Sequence, residues 1–142
     1  MIDKTDEFWA SAVADDIDEY LKAYSDDPAL DVKPIACGCG GDVFIIKYGA
    51  NRTAVKIMCE SCGDERFIAD GAAHRGSGSY EELECPMCKS RLHNARVGFR
   101  RRRSGSVKWL YIGVRCTQCK ALSSPLDWKV DREAAEETER NI

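Results

Sequence analysis

Eight cysteines in four close pairs limit what this chain can fold into. They are Cys37-Gly38-Cys39, Cys59-Glu60-Ser61-Cys62, Cys85-Pro86-Met87-Cys88 and Cys116-Thr117-Gln118-Cys119, and none is left over. A close pair sets two thiolates on one side of a tight turn. Four thiolates make a soft tetrahedral site that suits zinc or iron rather than calcium or magnesium. Nineteen residues separate Cys39 from Cys59 and twenty-seven separate Cys88 from Cys116, and both intervals alternate like β-hairpins. A hairpin brings its flanking pairs together. The expectation is two four-cysteine centres, Cys37, Cys39, Cys59 and Cys62 in one and Cys85, Cys88, Cys116 and Cys119 in the other, holding two Zn2+ ions. Spacing alone leaves crossed ligation open, with Cys37 and Cys39 sharing an ion with Cys85 and Cys88.

The predicted fold class is a small metal-bound α+β protein, with two tandem zinc-ribbon hairpin units and an N-terminal amphipathic helix packed on them. The units are residues 34–70 and 84–124, joined by a linker over 71–83, with the helical segment over 1–33 and an acidic tail over 125–142. The hairpins align as an internal repeat of knuckle, strand, turn, strand and knuckle. In the first, Val43 to Tyr48 and Thr53 to Met58 are strands around the turn Gly49-Ala50-Asn51-Arg52, and Arg66-Phe67-Ile68-Ala69 can add a third. In the second, Ala95, Val97 and Phe99 alternate on one strand. On the return, Val107, Trp109 and Tyr111 share one face and Leu110, Ile112 and Val114 the other.

The helix is expected over residues 5–25, capped by Thr5 or Asp3, with Trp9, Val13, Ile17, Tyr20, Leu21 and Tyr24 on one face. Asp26-Asp27-Pro28 ends it. The apolar stripe serves as a lid, because small ribbons have little core of their own. The alternative is a docking face for a partner. After Cys119, residues 126–130 read as a short strand with Trp128 capping the core, and 131–140 as a polar helix or frayed tail without an apolar stripe. His74 lies in the Gly- and Ser-bearing linker and reads as an exposed loop residue.

Composition excludes little and charge excludes more. No apolar run is long enough to cross a bilayer, and the acidic start Met1-Ile2-Asp3-Lys4-Thr5-Asp6 is unlike a signal peptide. A cytoplasmic location is expected, where thiols stay reduced and paired cysteines ligate metal more often than they form disulfides. The net charge of −3 conceals a strong asymmetry. Residues 1–33 hold ten acids against three bases, whereas residues 85–120 hold ten bases and no acid. The acidic helix face could lie against this basic hairpin.

Four thiolates close a site, whereas catalytic zinc keeps a position for water, so the expected role of the metal is structural and the protein is not read as an enzyme. Cys-x-x-Cys redox chemistry needs a βαβ frame that is not visible. The deaminase pattern of His-x-Glu with Pro-Cys-x-x-Cys does not occur. No phosphate loop or nucleophile–base pair points to a small-molecule substrate. Binding functions remain: a protein partner, favoured because opposed acidic and basic faces give partner choice, or nucleic acid through Arg100, Arg101, Arg102, Arg103 and Lys108 at the second hairpin tip.

The run Cys85-Pro86-Met87-Cys88, Val97-Gly98-Phe99, Val107, Trp109, Gly113-Val114-Arg115-Cys116, Cys119 and Asp127-Trp128-Lys129 resembles a group of small bacterial tandem zinc-ribbon proteins. Cys59 to Asp70 is similar to the earlier ribbon of that group, and the resemblance covers roughly residues 35–131. It implies the tandem four-cysteine fold. Some of these proteins look like immunity proteins encoded beside secreted toxins, which implies a toxin as the partner. Cys-x-Cys at Cys37 and the four-arginine tip depart from the group's pattern.

Overall fold

The computed structural model describes all 142 residues except Asn51, Thr53 and 75–77, and the side chains of Ala73 and His74. Part of the first hairpin turn and the His74 side chain therefore lie outside the described residues. Both hairpins belong to one antiparallel sheet. Its strands are β1 (Asp31–Pro34), β2 (Phe44–Tyr48), β3 (Val55–Cys59), β4 (Glu65–Phe67), β5 (Glu81–Glu82), β6 (Leu92–Arg101), β7 (Val107–Cys116) and β8 (Leu122–Lys129). The order is β4-β3-β2-β6-β7-β8, with β1 also on β6 and β5 also on β2. The join is short: Phe44 faces His93 and Ile45 faces Leu92. The segment expected to be a linker contributes β5, and Leu83 behind it is buried. Among the described residues, no helix is long and apolar enough to cross a membrane.

Both faces of the sheet are covered, which explains why β7 is buried along most of its length. On one face, Phe44, Ile46, Ile57, Ile68, Val97, Phe99, Leu110, Ile112, Leu126 and Trp128 form the main core. The sheet curls until its ends meet. Trp128 Nε1 donates to Asp70 Oδ1 at 3.0 Å, Ala69 N to Asn141 O at 2.9 Å and Arg52 Nη2 to Pro125 O at 3.0 Å. On the other face, Ile17, Leu21, Leu30, Tyr111 and Leu122 form a second cluster under α1 (Ile17–Tyr24). The helix comes close because Gly98 and Gly113 carry no side chain. A Cβ at Gly113 would lie 2.7 Å from Leu21 Cγ and 2.8 Å from Ile17 Cγ2, and one at Gly98 would lie 2.5 Å from Leu30 Cδ2.

The N-terminal helix is shorter than its apolar spacing predicts. Only 17–24 is α-helical, after a 3-10 turn over Ala14–Asp16. Residues 3–11 are instead drawn into strand-like pairing. Asp3 and Ala10 exchange both backbone bonds, Leu122 N donates to Trp9 O at 2.6 Å and Ser11 N donates to Lys120 O at 3.0 Å. Ser11 Oγ takes the Val13 amide and donates to Asp16 Oδ2, so the chain turns into the helix there. Neither Thr5 nor Asp3 caps it; Thr5 donates to Asp3 in a local turn. Val13 and Tyr24 are about half exposed, at 49% and 50%. Sheet pairing overrides a helical periodicity that it happens to share.

Two bulges also change expected faces. Arg100 faces Trp109 but Arg101 faces Val107, so Lys108 is an extra residue and Val107 crosses to the core face with Leu110. Ile112 faces Leu126 but Val114 faces Ser123, which places Pro125 at a bulge where its missing N–H is tolerated. The last strand is longer than expected, spanning 122–129. Of the two forms expected for the tail, helix or frayed end, the helix is present, and it is docked. Helix α2 (Ala135–Arg140) buries Ala135 and Thr138, and Glu139 receives Arg101 at 2.9 Å and Lys33 at 3.2 Å.

Candidate metal centres

Each centre is built by one hairpin and the turns at its open end. Cys59 ends β3 and Cys116 ends β7, opposite the starts of β2 and β6 respectively. The next residue locks each corner, with Glu60 N donating to Val43 O at 2.9 Å and Thr117 N to Leu92 O at 3.1 Å. The return turns repeat one design. Gly63 N donates to Cys59 O, Lys89 N to Cys85 O and Lys120 N to Cys116 O, each four residues along. The Cys-x-Cys turn is one residue tighter, with Gly40 N donating to Cys37 O. In all four, the residue after the second cysteine is left-handed: Gly40 at φ 89°, Gly63 at 78°, Lys89 at 67° and Lys120 at 72°. Glycine adopts this conformation without strain, whereas lysine does so at a cost.

The turns converge the sulfurs. Cys37, Cys39, Cys59 and Cys62 form one group and Cys85, Cys88, Cys116 and Cys119 the other, with all four Sγ atoms of each within 4.8 Å of one another. Ligation within each hairpin therefore fits the fold, and the crossed arrangement does not. The nearest sulfurs are 3.5 Å apart for Cys37–Cys62, 3.6 Å for Cys39–Cys59, 3.4 Å for Cys85–Cys119 and 3.5 Å for Cys88–Cys116. Zn–S bonds of about 2.3 Å in a tetrahedron put sulfurs about 3.8 Å apart, whereas a disulfide holds them at about 2.05 Å. All eight cysteines are free. The donor set thus fits a tetrahedral thiophilic ion.

Backbone amides point at the sulfurs: Gly41 N to Cys39 and Met87 N to Cys85 at 3.4 Å, Asp64 N to Cys62 and Cys119 N to Cys116 at 3.5 Å. Amides, neighbouring thiols and burial together shift the thiols in opposite directions. The Cys62 amide, helped by that of Ser61, brings Cys59 down to about 7. Burial pushes Cys116 up, but the Cys119 and Gln118 amides outweigh it and bring it to about 7. The Asp64 amide pulls Cys62 down, but the Cys37 thiol and burial outweigh it and push it up to about 12. Burial, with the neighbouring thiols, raises Cys119 to about 12. The four thiols of each centre titrate together, and a bound ion must displace their protons. His93, opposite Cys116, is buried, which lowers its pKa below the ordinary imidazole value, and it joins neither group.

Compared with protein-family models, curated proteins and solved structures, the chain gives no match. Its own residues carry the functional argument.

The five basic residues of the second hairpin tip separate. Arg100 donates to Ser25 O at 2.7 Å and lies 3.5 Å from Asp27. Arg101 binds Asp31 at 2.6 Å and Glu139 at 2.9 Å. Arg102 reaches the carbonyls of Val107 and Val130. Only Arg103 and Lys108 stand exposed. With Asp15 and Asp18 on Arg96, these pairs lay the acidic N-terminal segment along the basic hairpin. Sequence reasoning missed the left-handed lysines, although both directly follow the second cysteine of a pair. Gly41, in the Cys37-Gly38-Cys39-Gly40-Gly41 knuckle, is needed for space and not for a left-handed φ, since a Cβ there would lie 2.8 Å from Cys59 Sγ. Buried Arg115 was missed as well. Its guanidinium ties Ser11 O, Ala12 O and Asn94 Oδ1 together at 2.6–2.8 Å.

Proposed function

We propose that this chain is a non-catalytic zinc-binding protein, a tandem zinc ribbon with one Zn2+ in each four-cysteine centre, whose surface binds a protein partner. The observation that carries the reading is that each group supplies four sulfurs at tetrahedral spacing. Zinc so bound has no position for water or substrate, and its yield is folding free energy. Zinc is preferred to iron because a structural role needs no redox chemistry, and free thiols suit the reducing cytoplasm.

The partner surface is a cleft of about 300 Å³ lined by Glu7, Phe8, Trp9, Tyr20, Tyr24 and Leu122. Trp9 and Tyr20 meet edge to face, Tyr20 and Tyr24 stack, and Tyr24 meets Tyr111 edge on. Aromatic rings left partly open are enriched where proteins dock. Glu7 is the one charged residue of the lining, with Lys4 over the Trp9 ring at 4.6 Å, so the cleft is mainly aromatic in character. Toxin neutralisation is the form of this reading that the family resemblance implies. Nucleic-acid binding has less support, since Arg100 and Arg101 are committed to carboxylates of the same chain.

The test is rescue. The proposal expects a toxin gene beside this one, and cells expressing that toxin should survive with the wild-type protein and die with Tyr24→Ala, a surface change that leaves zinc content intact. Failure of the wild-type protein to rescue, or full rescue by Tyr24→Ala, would contradict the proposal.

A further inference from the structure

The fold turns part of the second hairpin tip into a cavity. Val130 N donates to Lys108 O at 2.9 Å, which brings the chain after β8 alongside the tip and places Arg132 there. Arg132 joins Arg101, Arg102, Arg103 and Lys108, with Ser104 and Ser106, around a space of about 700 Å³. That volume lies within the usual range of ligand sites. The lining presents four guanidinium groups, one ammonium and two hydroxyls, and no carboxylate.

The charges in this lining are not equivalent. Arg101 is neutralised by Asp31 and Glu139. Arg102 is held by the Val107 and Val130 carbonyls and by Ser106 Oγ at 3.4 Å. These oxygens carry no charge, so they fix the guanidinium without cancelling it. Among the described residues, Arg103, Lys108 and Arg132 enter no ion pair either. Asp131 and Glu133 flank Arg132 in sequence but lie outside the lining. Four uncompensated cations therefore converge on one space, and one of them is already immobilised. The Ser104 and Ser106 hydroxyls, 3.1 Å apart, add donors.

We propose that this cavity binds an oligophosphate group, in which several linked phosphates engage Arg102, Arg103, Lys108 and Arg132 at once. Planar guanidinium forks match phosphate oxygens in pairs, and an ammonium adds a point charge. A strand of nucleic acid is disfavoured because no aromatic ring lines the cavity to stack a base. The site shares no residue with the aromatic cleft, so it stands or falls independently of the partner-binding proposal.

The test is calorimetry on the zinc-loaded full chain with sodium tripolyphosphate at low salt, with zinc content measured before and after. Saturable one-to-one binding that weakens as salt rises is expected, and orthophosphate should bind far more weakly because it reaches fewer cations. Arg103→Ala, Lys108→Ala and Arg132→Ala should each weaken tripolyphosphate binding about tenfold, the scale of one charged hydrogen bond. Lys22→Ala, on α1, should leave it unchanged. Three results would overturn the proposal: no heat up to millimolar tripolyphosphate, equal weakening by Lys22→Ala, or an oligonucleotide that binds more tightly as it lengthens and that tripolyphosphate does not displace.

Discussion

The two centres have the same ligands but different surroundings. In the first, Cys39 and Cys62 are exposed; in the second, Cys85 and Cys116 are buried and no cysteine is exposed. The second centre is backed by Ala121 and Phe8 and flanked by the N-terminal segment paired to residues 120–122. It also sits between β5 and β6 on one side and β7 and β8 on the other. The first centre sits likewise between β1 and β2 on one side and β3 and β4 on the other, with Cys59 in the main core, but its Cys39 and Cys62 face solvent. One ligand set can thus stand open at the end of a hairpin or be covered by a segment distant in sequence, depending on what is built onto it.

The largest test of that contrast is one ligand from each centre. Structural zinc contributes on the order of 10 kcal/mol in small peptides, comparable to the whole stability of a domain of this size. Cys116→Ser should therefore unfold the chain. Cys59→Ser should lose one zinc yet keep protected amides in β6, β7 and β8. Hydrogen exchange with metal analysis reads both, and equal unfolding by the two variants would erase the distinction.

Arg115 sharpens it next. The residue adjoins Cys116, and its buried guanidinium carries three bonds across to the N-terminal segment and Asn94. Arg115→Ala should cost about 3 kcal/mol by leaving buried oxygens unpaired. It should speed zinc release to a chelator from the second centre alone. Arg115→Lys should not restore it, because one ammonium cannot span the same three acceptors.

Glu139→Gln is the arm that should touch neither centre. Arg101 foremost, with Lys33, holds the Glu139 carboxyl down to about 2. A depressed carboxyl stabilises the fold above its ordinary value near 4.5 and stops doing so as pH falls toward 2. The carboxylate is partly exposed, so screening reduces the effect to about 1 kcal/mol. Urea melts should show wild type ahead of Glu139→Gln by that much at neutral pH, with the gap shrinking below pH 4.5 and zinc release unchanged.

The smallest effect concerns the turns. The first centre uses glycine at its left-handed positions and the second uses lysine. Lys120→Gly should stabilise the second centre by about 0.5 kcal/mol, and Gly63→Ala should destabilise the first by about 1 kcal/mol. Thermal melts of the zinc-loaded proteins would show the opposite signs.

The ligands were legible because each pair is local: two or three residues fix a turn, and alternation between pairs announces the hairpin. The contacts that bind the halves together were not. Trp9 and Val13 keep helical spacing with Ile17 and Leu21, and nothing in that spacing reveals that residues 9–11 pair with 120–122. The tail lacks an apolar stripe because it docks through Ala135, Thr138 and the Glu139 ion pairs. Val107 changes face through one extra residue at Lys108, which no period-two pattern can report. Arg132 reaches the cavity only because β8 returns the chain to the hairpin tip. The acidic and basic segments were visible as opposites, and Asp15, Asp18, Asp27 and Asp31 do meet Arg96, Arg100 and Arg101.

X-ray absorption at the zinc edge on the purified 142-residue chain tests the central claim most directly. Two zinc ions per chain, each with four sulfur neighbours at about 2.3 Å and no lighter atom in the shell, is the predicted result. A nitrogen or oxygen neighbour, or a single ion per chain, would contradict it.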